Sequence, residues 1–186
     1  MIMISIDNLV FSQHLFWNEH QCRRLCEIAA ASSVEDAGVH RDGKLYIDPN
    51  FRKTKRILLD QSLFDEIGTS LLWIKPRVEE YFQLPLQGLQ GIQFLQYSAG
   101  DYFHTHADEF EPPSETSRKI SLILFLNSGF QGGDVVLYKD ADHYRAKDGF
   151  HIIPQEGLLI AFSSYLLHEV EEILTGKRLS LVSWFY

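Results

Sequence analysis

The stretch LQGIQFLQYSAGDYFHTHADEF, Leu89 to Phe110, decides the reading of this chain, because in it helical periodicity has given way to a short run of β-branched and aromatic residues broken by a turn. His104, His106 and Asp108 fall at alternate positions within it. Side chains alternate faces along a strand, so all three point the same way if the strand runs that far. The same character continues to the end of the chain in RKISLILFLNS, GGDVVLYK, EGLLIAFSS, HEVEEIL and KRLSLVSWFY, each bounded by turn residues. Short strands at this spacing argue for a sandwich or barrel of antiparallel strands.

Upstream of Leu84 the pattern is helical from Asn18 to Ala31 and again from Asp60 to about Tyr81, where Leu63, Ile67, Leu71, Leu72, Ile74 and Val78 recur at helical spacing. Pro76 is expected to kink or divide the second helix. Both helices should cover one outer face of the β part. No repeat or low-complexity linker marks a boundary, so the expectation is one domain over 1–186, helical to about 84 and β from about 85. Two polar segments, Asp108 to Ser117 and Lys139 to His151, read as long functional loops at the rim of a site.

Composition narrows the function. The chain has 186 residues, 45% hydrophobic and 23% charged, with a formal charge of −8. That charge argues against a polyanion partner, which needs an excess of Lys and Arg on some face. The locally basic HRDGKLYIDPNFRKTKR, His40 to Arg56, reads as a solvated loop or as the rim of a mouth for an acidic substrate or peptide. Cys22 and Cys26 lie four apart on one helix face and read as reduced, buried thiols. The N-terminus MIMISIDNLVF lacks a secretory leader's basic start, and no apolar run is long enough to span a bilayer, so a cytoplasmic location without membrane contact is expected.

Two ligands on one strand leave a metal site incomplete. The best further donor is His168 in FSSYLLHEVEE, at the start of another predicted strand. Two histidines and one carboxylate leave half of an octahedron open, a donor set that suits non-haem Fe(II).

At this point the sequence resembles the Fe(II)- and 2-oxoglutarate-dependent dioxygenases, and among them the prolyl 4-hydroxylase-like group with its compact bacterial and phage-type members. The likeness covers roughly Ile92 to the C-terminus. The family's Tyr-x-x-Gly, an aromatic residue and His-x-Asp correspond to Tyr97, Gly100, Phe103, His106 and Asp108, an offset that selects His106 over His104 as ligand. RKISLILFLN, FQGGDVVLY and IPQEGLLIAFSSYLLHEV match the family's next three segments, with His168 as its second histidine. Arg178, ten residues on, matches the cation that holds the distal carboxylate of 2-oxoglutarate. Ser180, Ser121 and Tyr97 are further candidates for that co-substrate, and Phe125 stands where oxygen-sensing animal enzymes carry a tyrosine.

The resemblance implies a double-stranded β-helix with flanking α-helices, metal ligands His106, Asp108 and His168, and Fe(II), 2-oxoglutarate and O2 as cofactor and co-substrates, with ascorbate an option. The implied reaction hydroxylates an unactivated C–H bond and releases succinate and CO2. A prolyl residue of a protein or peptide is the first substrate expectation, a free amino acid or other small molecule the second. His104, Trp184 and Phe103 stand as residues beside the substrate or behind the ligands. A nucleic-acid dealkylating relative would carry a second arginine where Trp184 falls, and a non-catalytic β-helix protein would lack part of the triad or Arg178. His14, His20, His40, His143 and His151 taken singly read as ordinary surface or core residues, Asp134 as a turn acid, and Glu169, Glu171 and Glu172 as a solvated strand end.

Overall fold

The computed structural model describes residues 9–41 and 44–186. The leader reading of the first eight residues, and Asp42 and Gly43 of the basic segment, lie outside the described residues. The first elements are β1 (Val10–Gln13), α1 (Glu19–Ala31), β2 (Val34–Asp36), β3 (Val39–Arg41), β4 (Lys44–Tyr46), β5 (Arg52–Lys53), β6 (Lys55–Ile57), α2 (Gln61–Leu72) and α3 (Lys75–Phe82). After them come β7 (Leu89–Ser98), β8 (Tyr102–His106), β9 (Ile120–Phe125), β10 (Gln131–Gly132), β11 (Val135–Tyr138), α4 (Ala141–Ala146), β12 (Phe150–Ile152), β13 (Leu159–Ser163), β14 (Leu167–Val170), β15 (Ile173–Thr175) and β16 (Lys177–Phe185).

The helices begin where side chains satisfy their first amides. Asn18 and Gln21 form a reciprocal capping box on α1, and Asp60 accepts from the Leu63 amide at the start of α2. Pro76 divides the second helical stretch, sitting in the first turn of α3 where a missing N–H costs nothing.

Among the described residues a seven-stranded sheet runs in the order β1-β13-β9-β16-β7-β6-β2 and faces a five-stranded sheet ordered β12-β11-β14-β8-β5. All pairings are antiparallel, and the two sheets form a double-stranded β-helix. Strand β9 shows why the large sheet is central. All six of its residues are buried, with Leu122 and Leu124 packing outward with Cys22, Leu25, Ile67, Leu71 and Val78 of the helices, and Ile123 and Phe125 packing inward with Val135, Leu137, Ile160 and Phe162.

Alternation along β16 then divides its residues cleanly. Leu179, Leu181 and Phe185 join the helix-side core, while Arg178, Ser180, Val182 and Trp184 face the space between the sheets.

Two expectations need correction. The basic segment from His40 to Arg56 is not a loop: it holds the β3–β4 hairpin, then β5 on the small sheet beside β8 and β6 on the large sheet beside β7. The segment from Lys139 to His151 contains α4 and most of β12, and none of its residues lines the cavity between the sheets. The other rim segment does, through Asp108, Glu109, Phe110 and Glu111.

Candidate metal and co-substrate site

A cavity of about 750 Å³ opens between the two sheets. Strand β8 brings His106 to it, the turn after β8 brings Asp108, and β14 brings His168 directly opposite His106. The three ligand atoms all lie within 4.8 Å of one another. His106 Nε2 is 3.7 Å from Asp108 Oδ1, and His168 Nε2 is 3.6 Å from Asp108 Oδ2.

Both rings are held in the same manner. His106 Nδ1 donates to the His104 carbonyl at 2.8 Å and His168 Nδ1 donates to the Leu166 carbonyl at 2.9 Å. Each bond fixes a proton on Nδ1 and turns Nε2 toward the carboxylate. Burial, then the neighbouring His168, hold the His106 imidazole well below its ordinary pKa, so it is neutral at pH 7.

Burial opposes charge on Asp108. His168, His106 and two hydrogen bonds outweigh it and hold the carboxyl below its usual range. Those bonds come from Ser121 Oγ at 2.7 Å and Trp184 Nε1 at 2.8 Å, both to Oδ2. Ser121, a candidate for the co-substrate in the sequence, donates to this carboxylate, and Ser164, which the sequence reading missed, has its Oγ 2.9 Å from Ser121 Oγ. Arg118, also missed, covers the face of Trp184 at 3.8 Å.

His104 does not share the inner side with His106. The pairing of β8 with β14 shifts register, so that Phe103 to His106 spans the length that His168 to Val170 spans opposite. The extra residue is a β-bulge, which re-aims side chains locally. Phe103 rather than His104 comes to the inner side, its ring stacked on His106 at 3.6 Å, while His104 is exposed with its ring 4.6 Å from Tyr102.

Arg178 is 1% exposed, and its guanidinium lies 4.9 Å from the Phe125 ring and 5.2 Å from the Tyr97 ring. Tyr97 is its cross-strand neighbour on β7 and is itself buried. Nη1 donates to the Gly133 carbonyl at 2.9 Å. Among the described residues its Nε has no hydrogen-bond partner, and neither has the buried Ser180 Oγ two residues along the same face. Among the described residues no carboxylate lies within 4.0 Å of this guanidinium. Burial lowers its pKa to about 10 against the pull of Tyr97 and Asp134. A buried cation with orphaned donors beside it is costly unless an anion joins it.

A second convergence of Asp134, His151 and Glu171 is half-exposed, with 3.6 Å from His151 Nδ1 to each carboxylate. None of these three residues lines the cavity.

Fold and site together define a double-stranded β-helix whose cavity is lined by two histidines, a carboxylate and a buried arginine. Comparison with known proteins gives this class its family. The model of the 2OG-Fe(II) oxygenase superfamily matches residues 92–186, and the chain belongs to that family. It is 22% identical over 208 residues to probable prolyl 4-hydroxylase 8 of Arabidopsis thaliana, covering 99% of this chain and 70% of that one. It is 28% identical over 160 residues to a PKHD-type hydroxylase of Prochlorococcus marinus, covering 82% and 69%. Among solved structures, a Pseudomonas putida prolyl-4-hydroxylase superposes with a TM-score of 0.72 at 23% identity, covering 95% of this chain and 91% of that one.

The protein is thus a 2-oxoglutarate-dependent dioxygenase, an enzyme whose family uses Fe(II), 2-oxoglutarate and O2. Among the described residues no helix is long and apolar enough to cross a membrane.

Proposed function

We propose that this enzyme hydroxylates a prolyl residue of a protein or peptide, with His106, Asp108 and His168 as its Fe(II) ligands and Arg178 with Ser180 as its anchor for the far carboxylate of 2-oxoglutarate. The observation that carries the site assignment is the pair of orphaned donors, Arg178 Nε and Ser180 Oγ, on the cavity that also holds the two imidazoles and the carboxylate. A guanidinium meets a carboxylate through two parallel charge-assisted bonds, so one carboxylate would satisfy what the fold leaves unsatisfied. The donor set fits Fe(II), with two imidazole nitrogens, one carboxylate oxygen and room beside them.

When bound, Fe(II), 2-oxoglutarate and O2 supply the oxidation: one oxygen atom enters succinate as CO2 leaves, and the other enters a substrate C–H bond. The chain's own residues prepare for it. The His104 and Leu166 carbonyls orient both rings with Nε2 toward the carboxylate, while Ser121 and Trp184 hold Asp108 Oδ2 and, among the described residues, no hydrogen-bond donor reaches Oδ1. Phe103, Ile123, Val170, Val182 and Trp184 line the cavity with apolar surface that excludes water from the reacting centre.

The prolyl substrate is supported by the hydroxylases to which the chain is similar, and a free amino acid or other small molecule is the alternative that a cavity of about 750 Å³ also accommodates. The test is incubation with Fe(II), 2-oxoglutarate, a reductant and prolyl peptides, following succinate and a 16 Da gain by mass spectrometry. Succinate coupled to a hydroxyprolyl product supports the reading. Succinate formed without modification of any prolyl peptide, but coupled to a free amino acid, replaces the substrate and keeps the site.

A further inference from the structure

A second arginine opens on the same cavity, and the chemistry above leaves it without a task. Arg52 lies on β5, opposite Phe103 of β8, and is 7% exposed. Its guanidinium covers the Phe103 ring at 4.6 Å, and that ring stacks on His106, so the charge sits one aromatic ring away from the ligand set. Its hydrogen bonds go to neutral acceptors, Nη1 to the Gly38 carbonyl at 2.9 Å and Nη2 to Gln93 Oε1 at 3.1 Å. Nε is buried and has no hydrogen-bond partner among the described residues. Among the described residues no carboxylate lies within 4.0 Å of it.

Of the other cations on the cavity wall besides Arg178, Arg56 is paired with Glu35, while Arg118 is less buried than Arg52, covers Trp184 and bonds Gln90, with Asp108 and Glu109 favouring its charge. The Asp108 carboxylate and the Tyr97 hydroxyl favour the charge on Arg52, but Asp108 is held by Ser121 and Trp184 among the imidazoles. With a divalent cation and a dianionic co-substrate in place, the charges of Asp108, Arg52 and Arg178 leave one positive charge over. A buried charge of that kind calls for an anionic partner.

Resting on the prolyl reading given above, we infer that Arg52 is the anchor for a carboxylate of the hydroxylated substrate, so that this pocket takes an acidic prolyl compound in preference to a neutral one. The carboxylate can come from the end of the molecule, as in a free amino acid or a chain terminus, or from an acidic side chain next to the proline. Arg52 is a binding residue in this account, and the co-substrate is held elsewhere.

The experiment measures equilibrium binding by calorimetry, without oxygen, to protein loaded with Mn(II) and 2-oxoglutarate. Two matched pairs of probes distinguish the sources: N-acetylproline against its carboxamide, and an end-capped prolyl peptide with Asp beside the proline against the same peptide with Asn. In the wild type at least one acidic probe should bind about tenfold or more tighter than its neutral partner, the difference expected of a charge-assisted bond. Preference in the first pair assigns a terminal carboxylate, and preference in the second an acidic side chain. Arg52→Gln should reduce the ratio to near one with 2-oxoglutarate affinity unchanged, and Arg52→Lys should retain part of it.

A wild-type ratio near one in both pairs overturns the inference without any variant, and so does a preference that survives in Arg52→Gln. Failure of the prolyl hydroxylase reading is a separate result, seen as absence of hydroxyprolyl product in turnover, and leaves these binding ratios readable.

Discussion

Replacing Arg178 by methionine separates what its guanidinium does for the co-substrate from what it does for the fold. Burial lowers its pKa from the ordinary guanidinium range to about 10. A lowering of that size disfavours the charged form in the folded protein by roughly 3 kcal/mol. A base whose folded pKa lies below its unfolded one weakens the fold wherever it is protonated, so the cost is full below about pH 10 and fades only as pH rises beyond that. Removing the charge recovers that amount, while losing the bond to the Gly133 carbonyl and the packing against Phe125 costs about 1–3 kcal/mol. The metal-free variant should therefore match the wild type at pH 7 or exceed it by up to about 2 kcal/mol. Binding of 2-oxoglutarate should move the other way. Two charge-assisted bonds at roughly 1.5–3 kcal/mol each correspond to a loss of about 10²- to 10⁴-fold in affinity. The assay is anaerobic titration of the Fe(II)-loaded protein with 2-oxoglutarate, followed by the visible band of the chelated keto acid, beside denaturant melts of the metal-free forms. Affinity within about threefold of wild type, or a variant less stable by more than about 3 kcal/mol, would show that Arg178 is a structural cation and refute the reasoning.

Four further outcomes are expected. Trp184→Phe keeps the buried ring but removes the donor to Asp108 Oδ2, and Mn(II) affinity measured by equilibrium dialysis should fall about 10–100-fold; an unchanged value would mean the carboxylate needs no such support. His104→Ala should leave metal affinity within about threefold, because only the backbone carbonyl of that residue serves His106, and loss of metal would undo the bulge-based account of β8. Gly133→Ala places a Cβ 2.2 Å from Ile173 Cδ1 at a φ of +72°, so destabilisation of about 2–4 kcal/mol should accompany weaker 2-oxoglutarate binding, and a wild-type melt would contradict it. Burial, then Glu156, push the Cys22 thiol up to about 11, so its contribution to stability is complete below pH 9 and lost between 9 and 11; a native thiol that reacts with a maleimide at pH 8 as fast as in denaturant would refute this.

How far the sequence could be read depended on whether a signal was local. Helix α1 starts with Asn18 and Gln21, three residues apart, and α3 starts with Pro76 in its first turn, so both boundaries were visible without knowledge of neighbours. The alternation rule served equally well in β16. Its pairing with β9 runs without a shift from Ser180 to Phe185, so Arg178, Ser180, Val182 and Trp184 stay on one face. The same rule failed in β8, where it aligned His104 with His106. Nothing in Tyr-Phe-His-Thr-His, with neither Gly nor Pro, announces the bulge, because the extra residue exists only relative to the partner strand β14.

The basic segment before α2 shows the same limit from the side of charge. Arg52, Lys53, Lys55 and Arg56 look alike in composition, and a cluster of cations reads as solvated. In the fold, Lys53, Lys55 and Arg56 stay at the surface beside Asp101, Asp36 and Glu35, whereas Arg52 turns under Phe103 and meets only neutral acceptors. What distinguishes it from these three is an absence, a guanidinium with no carboxylate within 4.0 Å among the described residues, and an absence of that kind is defined only once its neighbours have been placed. The same holds for Arg178. Its sequence position is matched by resemblance, but its unpaired Nε and that of Arg52 become visible only when β7, β8, β9 and β16 enclose them. Two buried cations on one cavity, each with an unbonded Nε and no carboxylate within 4.0 Å among the described residues, are therefore evidence about ligands rather than about stability, since each weakens the empty fold and is compensated only by something that binds.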